Sequence, residues 1–366
     1  MMSSRLTGAF ALLFCLPCAW PSVANAQGVV TYDVPVTVIS SDGSPLTNLQ
    51  SQNIRVRGRD VRVRSFNLDS KPRKIVLLLD TSGSMSENEN GKTRLDVAFE
   101  LMSFFLDDES AADLLAFYQF SDTPREVVPM SNNVAAIRRA MKPIPPSQER
   151  EMVGKTNIGD ALNELLTNTH VSLAFGDSIV IFSDGEFDST EGRQRPLGSF
   201  ERALVQRGVR VFLALARERE KISNETQSVV SLTRASPDSR RLRVPGSTVL
   251  ADSDPNASEV SDSESFIAAV GGESFAPADY SNIPRITQVF RSNDLSQRMK
   301  SLLGMVQSTY RLELQFSRPL RSKKQLRLEV VNERGKALHN VTVLSPAFVY
   351  PNAGGAPITA TTRCCR

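Results

Sequence analysis

The sequence is short of the side chains that most often carry covalent and redox chemistry. It holds two histidines, four cysteines and one tryptophan in 366 residues. Neither histidine, His170 or His339, lies near a loop that gathers other reactive groups, so a histidine general base has little to work with. Cys15 and Cys18 fall in the first segment and Cys364 and Cys365 are adjacent near the end, which excludes a core stapled by disulfides. After residue 26 no run approaches the roughly 18 continuous apolar residues of a membrane span. Charge of one sign is also lacking, with 43 Lys+Arg against 40 Asp+Glu. No global polyanionic partner is implied.

What is present begins with Arg5, an apolar stretch from Ala9 to Trp20, and Ala24-Asn25-Ala26. That pattern predicts a signal peptide over residues 1–26 and a mature chain beginning at Gln27, exported to the periplasm or the medium. A lipid anchor on Cys18 is the rival reading, with Pro17 standing where a small residue is needed. Trp20 leaves with this segment. The remaining length suits about two domains held together by apolar burial.

From Val30 to Phe66 the pattern is β. Val30, Tyr32, Val34, Val36 and Val38 alternate with mostly polar residues, and Ile54 and Val56 alternate with Arg55 and Arg57. Val61 and Val63 then alternate with Arg62 and Arg64 in the opposite parity, which predicts a hairpin turn at Gly58-Arg59-Asp60. From Lys74 the grammar changes to continuous apolar runs, Ile75–Leu79, Leu114–Phe120, Ile179–Phe182 and Val209–Leu215, as in parallel strands buried on both faces. Helical spacings separate them: Leu95, Ala98, Leu101, Met102 and Phe105, then Ile158, Ala161, Leu162, Leu165 and Leu166. The expected fold is a doubly wound, mostly parallel α/β sheet over residues 71–307.

Residues 218–265 interrupt this rhythm as a polar, partly disordered surface excursion. Helices are expected at Phe266–Gly272 and along Leu295, Met299, Leu302, Leu303 and Val306. Period two returns at Tyr310–Phe316 and Leu326–Val330, and Val341–Leu344 supplies one more strand. Segments 27–70 and 308–350 are each too short for a sheet with a core, so they are expected to pair as a small antiparallel β-sandwich carrying the α/β domain as an insertion. The tail 351–366 reads as disordered.

The chemistry concentrates in three loops. Asp80-Thr81-Ser82-Gly83-Ser84-Met85 follows the first buried strand and sets one carboxylate and two hydroxyls at alternating positions, oxygen ligands suited to hard cations. On its own such a loop is as readily a helix cap or turn. Gly154-Lys155-Thr156-Asn157-Ile158-Gly159-Asp160 places a hydroxyl just ahead of a helix, and Ser183-Asp184-Gly185 follows the third buried strand. All three belong at one edge of a parallel sheet, the edge where open α/β folds bind ligands.

With these motifs, roughly Lys74 to Gln307 resembles a von Willebrand factor type A domain, and its three-part metal-ion-dependent adhesion motif is complete. The resemblance implies Ser82, Ser84 and Thr156 as hydroxyl ligands, with Asp80 and Asp184 ligating directly or through water. It also implies a protein-binding module rather than an enzyme. The cation expected is Mg²⁺, with Mn²⁺ or Ca²⁺ fitting the same oxygens, and a partner's Asp or Glu carboxylate completes the coordination. The whole chain also resembles the VWFA-related family described from Acidobacteria, in which β segments flank the domain. A scaffold whose ion is structural, and a metal-dependent hydrolase using Asp80 or Asp184 as base, are the competing functions.

Weaker signals have plainer readings. His170 ends a helical run, as a dipole-complementing cap would. Asp252-Ser253-Asp254-Pro255-Asn256 begins like a calcium loop but lacks its glycine and its bidentate Glu. Arg55, Arg57, Arg62 and Arg64 read as a solvent face, with a basic face for an anionic glycan or lipid headgroup as the alternative. The terminal cysteine pair reads as incidental.

Overall fold

The computed structural model describes residues 30–89, 91–107, 113–141, 156–185, 198–216, 274–275, 295–338 and 340–351. The expected signal segment, the excursion at 218–265 with its acidic loop, the helix at 266–272, His339 and the tail beyond Pro351 lie outside these residues. Among the described residues no helix is long and apolar enough to cross a membrane.

In chain order the strands are β1 (Val30–Ser40), β2 (Ile54–Val56), β3 (Val61–Leu68), β4 (Lys74–Asp80), a small hairpin of β5 (Asn88–Glu89) and β6 (Lys92–Thr93), β7 (Leu114–Phe120), β8 (Pro124–Ser131), β9 (Ser178–Ser183), β10 (Arg210–Leu215), β11 (Ser274–Phe275), β12 (Tyr310–Phe316), β13 (Lys324–Gln325), β14 (Leu328–Val330), β15 (Val341–Leu344) and β16 (Phe348–Val349). The helices are α1 (Arg94–Asp107), α2 (Val134–Ala140), α3 (Ile158–Thr167), α4 (Gly198–Arg207) and α5 (Leu295–Gln307).

The continuous apolar runs form the middle of a six-stranded sheet ordered β11-β10-β9-β4-β7-β8, parallel except for β8 at the edge. Strand period two explains why β4 is apolar throughout. Ile75, Leu77 and Leu79 enter one core with α1, α2 and α5, whereas Val76 and Leu78 enter the other with α3 and α4. Each face is covered by helices, so a polar residue on either side of β4 would be buried without a partner. This is the doubly wound arrangement, with α1 and α3 over the apolar positions read from sequence.

The flanking segments do pair. β1 lies between β12 and β15, and β3 adds to the far side of β12, giving an antiparallel sheet ordered β15-β1-β12-β3. Opposite it, β2 pairs with β14 and β13 with β16. One core lies between these layers, drawing Tyr32, Val34, Val36, Phe66, Tyr310, Leu312 and Leu314 from the larger sheet and Ile54, Val330 and Val349 from the smaller pairs. Phe66 stacks on Tyr310 with centroids 4.3 Å apart, and Tyr32 meets Phe316 edge-on at 5.2 Å. The chain leaves this sandwich through β3 and returns through β12, its hydrogen-bonded neighbour. Asp69 N donates to Thr309 O at 2.9 Å and closes the neck of the insertion.

Three expectations are corrected. Gly58-Arg59-Asp60 is not a hairpin turn: β2 pairs with β14 and β3 with β12, so the chain crosses between layers. The parity flip turns both apolar sets toward one core from opposite sides. All four arginines are exposed, as a solvent face requires, but Arg55 and Arg57 do not share that face with Arg62 and Arg64. Arg57 pairs with Glu329 and Arg64 with Glu313 at 3.7 Å, which leaves no unbroken basic face. His170 does not cap α3, which ends at Thr167 with Asn168 as its cap. The histidine is exposed, and its backbone N–H donates to Asn168 Oδ1 at 2.8 Å.

Candidate metal centre

The carboxyl ends of the parallel strands gather the predicted loops. Asp80 is the last residue of β4, in register with Phe120 at the end of β7, and Asp184 follows the end of β9. Past Asp80 the chain turns at once into a short 3-10 turn, Gly83–Ser86, anchored below by the fully buried Met85. Past Asp184 it turns through Gly185 at φ +83°, a conformation that favours a residue without a Cβ. Thr156 sits beside the end of β7, because the neighbouring Asn157 donates its backbone N–H to Ser121 O at 2.9 Å and its side chain caps α3 by accepting from Asp160 N at 3.1 Å.

Asp80 and Asp184 are both 0% exposed, Ser82 is 1% and Thr156 5%. Asp80 Oδ1 accepts from Ser82 N at 2.9 Å and Oδ2 from Ser183 Oγ at 2.6 Å. Ser183 Oγ also lies 3.5 Å from Asp184 Oδ1, so one hydroxyl stands between the carboxylates with its proton on Asp80. Ser82 Oγ and Ser84 Oγ are 3.1 Å apart. Four of the five residues named from sequence are thus joined directly or through one hydroxyl. Thr156 stands on the same edge, and no described hydrogen bond links it to the four.

Burial, followed by the nearby Asp184 carboxylate, pushes the Asp80 carboxyl up to about 7. Two carboxylates buried side by side are a costly arrangement that a cation relieves. The Ser82–Ser84 separation is close to the edge of an octahedron with bonds of about 2.1 Å, which is about 3.0 Å. Among the described residues no three His, Cys, Asp or Glu side chains gather as a ligand set. Hydroxyls would have to complete the set, a donor chemistry that suits a divalent cation.

Two residues at this edge were passed over in the sequence. Ser183 was visible inside Ser183-Asp184-Gly185, although the motif draws the eye to its aspartate. Arg94, the first residue of α1, carried no signal. Its Nη1 lies 2.9 Å from Asp184 Oδ2, and its Nη2 lies 2.8 Å from Glu87 Oε2.

A family model described as von Willebrand factor type A domain matches residues 75–186. No curated protein matches the chain. Among solved structures, an aerotolerance-related membrane protein from Bacteroides fragilis is 15% identical, with 63% of this chain and 98% of that chain covered at a TM-score of 0.39. A von Willebrand factor type A protein from Catenulispora acidiphila is 10% identical, covering 88% of this chain and 73% of its own at 0.41. Proximal thread matrix protein 1 from the mussel byssus, with a zinc-occupied MIDAS motif, is 13% identical, with 68% and 50% covered at 0.38.

Proposed function

We propose that this chain, whose residues 75–186 match the von Willebrand factor type A domain, is an exported binding module whose Asp80, Ser82, Ser84, Thr156 and Asp184 hold a divalent cation, Mg²⁺ by preference. A bound cation supplies an electrophilic position that an Asp or Glu carboxylate from a partner protein completes. The chain's own residues do the rest. Ser82 N and Ser183 Oγ hold both oxygens of Asp80, and the two serine hydroxyls bring neutral oxygens that add no further negative charge to the site. Segments 27–70 and 308–350 form the platform on which domain 71–307 is carried.

The observation that carries this reading is the pair of fully buried carboxylates at the carboxyl edge, with Ser183 Oγ between them. The test is calorimetric titration of Mg²⁺ and Mn²⁺ together with a Mg²⁺-dependent pull-down, for the wild type and Asp80→Ala. Both ion binding and partner capture are expected to vanish in the variant. Capture that persists after ion binding is lost would make the ion structural, and loss of a phosphoesterase activity with the same change would make the protein an enzyme.

A further inference from the structure

Arg94 puts a fixed positive charge into a cluster read as a cation site. The residue is 8% exposed. Its guanidinium joins Asp184 on one side and Glu87 on the other, and Nη1 lies 3.5 Å from Ser84 O. Its backbone is held as firmly. Thr93 Oγ1 accepts from Asp96 N at 3.0 Å while Asp96 Oδ2 accepts from Thr93 N at 3.0 Å, a capping box that fixes the start of α1. Arg94 N also donates to Glu87 O at 3.0 Å. The side chain is therefore built into the wall of the cluster.

We propose that Arg94 sets the affinity and specificity of the cation site, as an internal cation that competes for Asp184 and favours an anionic outer ligand. The inference rests on the reading of the cluster as a cation site. Asp80 and Asp184 bring two negative charges when ionised, and Arg94 returns one positive charge to the same buried volume. That charge weakens the hold of the cluster on a bare dication. It leaves the loaded cluster more positive than it would be without Arg94, so a carboxylate gains more than a neutral oxygen does. Cation and carboxylate then reinforce each other, and by linkage the gain is the same from either side. Glu87 acts in the opposite sense by partly neutralising Arg94, although its side chain is 59% exposed and solvent screens the effect.

The experiment titrates Mn²⁺ alone into the full chain, following free Mn²⁺ by electron paramagnetic resonance, for the wild type, Arg94→Met, Arg94→Lys and Glu87→Gln. Arg94→Met is expected to bind Mn²⁺ about tenfold more tightly, Arg94→Lys to stay near wild type, and Glu87→Gln to bind about two- to threefold more weakly. Acetate added at fixed concentration is expected to tighten Mn²⁺ binding in the wild type more than in Arg94→Met. A wild type that ignores Mn²⁺ would remove the cation-site reading itself. Binding in the wild type that Arg94→Met leaves unchanged or weakens, or an equal acetate effect in both, would overturn the role of Arg94 alone. Glu87 is a surface position, so its arm decides the matter even where Arg94→Met fails to fold: unchanged or tighter Mn²⁺ binding by Glu87→Gln contradicts the proposal.

Discussion

At the scale of single residues, the candidate site turns on Ser183. Its hydroxyl donates to Asp80 Oδ2 at 2.6 Å in a buried setting, a charge-assisted bond that fixes which carboxylate edge remains available. Groups that orient ligands in this way commonly account for 10- to 100-fold in metal affinity. Ser183→Ala is therefore expected to weaken Mg²⁺ binding about tenfold by calorimetry while Ser183→Thr, which keeps the hydroxyl, stays close to wild type. Equal affinities for the wild type and the alanine variant would remove Ser183 from the site. The five candidate ligands were legible because carboxylates and hydroxyls crowd three short loops after buried strands. Arg94 was not, because an arginine opening a helix usually runs its head out to water, and only the fold brings Asp184 to it across 90 positions.

At the scale of elements, α3 positions Thr156. Its N-cap Asn157 accepts from Asp160 N and ties the loop to Ser121 through its own backbone. Asn157→Ala should cost about 1 kcal/mol of stability by chemical denaturation. Because Thr156 precedes the cap, the same change is expected to weaken Mg²⁺ binding, whereas Asn157→Ser, which keeps a cap acceptor without setting a second carboxylate beside Asp160, restores most of the stability. A loss of stability with unaltered ion affinity would show that Thr156 does not depend on the helix start. Reading elements from sequence worked where one periodicity had one cause. Runs such as Ile75–Leu79 can be apolar on both faces only when both are covered. It failed where a pattern had two causes, since the parity flip around Gly58 follows equally from a hairpin and from a crossing between layers. β8 escaped notice because Arg125, Glu126 and Pro129 break its alternation, which an edge strand tolerates.

At the scale of the whole molecule, the two ends of the parallel sheet are divided between two tasks. The amino ends meet the sandwich. There Asp113 accepts from Arg73 N at 2.8 Å and Gln307 Nε2 at 2.9 Å, and Arg311 of β12 lies over the Phe175 ring at 3.9 Å. The candidate metal edge is at the other end of strands six or seven residues long, about 20 Å away, so the platform does not cover it. The join centres on Arg210, which is fully buried. Burial, with a smaller contribution from Arg73, lowers its guanidinium to about 9. Arg210 Nη1 donates to Thr37 Oγ1 of β1 at 2.6 Å and Nη2 to Val306 O at the end of α5 at 2.9 Å. Helix-terminal carbonyls stabilise this cation with partial charges. One side chain therefore couples the sandwich, the last helix and the sheet. Arg210→Met removes the donors and strands those acceptors in the interior, and is expected to cost about 1–3 kcal/mol. Thr37→Val should cost about 1–2 kcal/mol. Because both act through one contact, the double variant should lose clearly less than the sum of the singles. Calorimetry should show one unfolding transition for the wild type and two for Arg210→Met. Additive losses and a single transition throughout would mean that the two units are held together elsewhere.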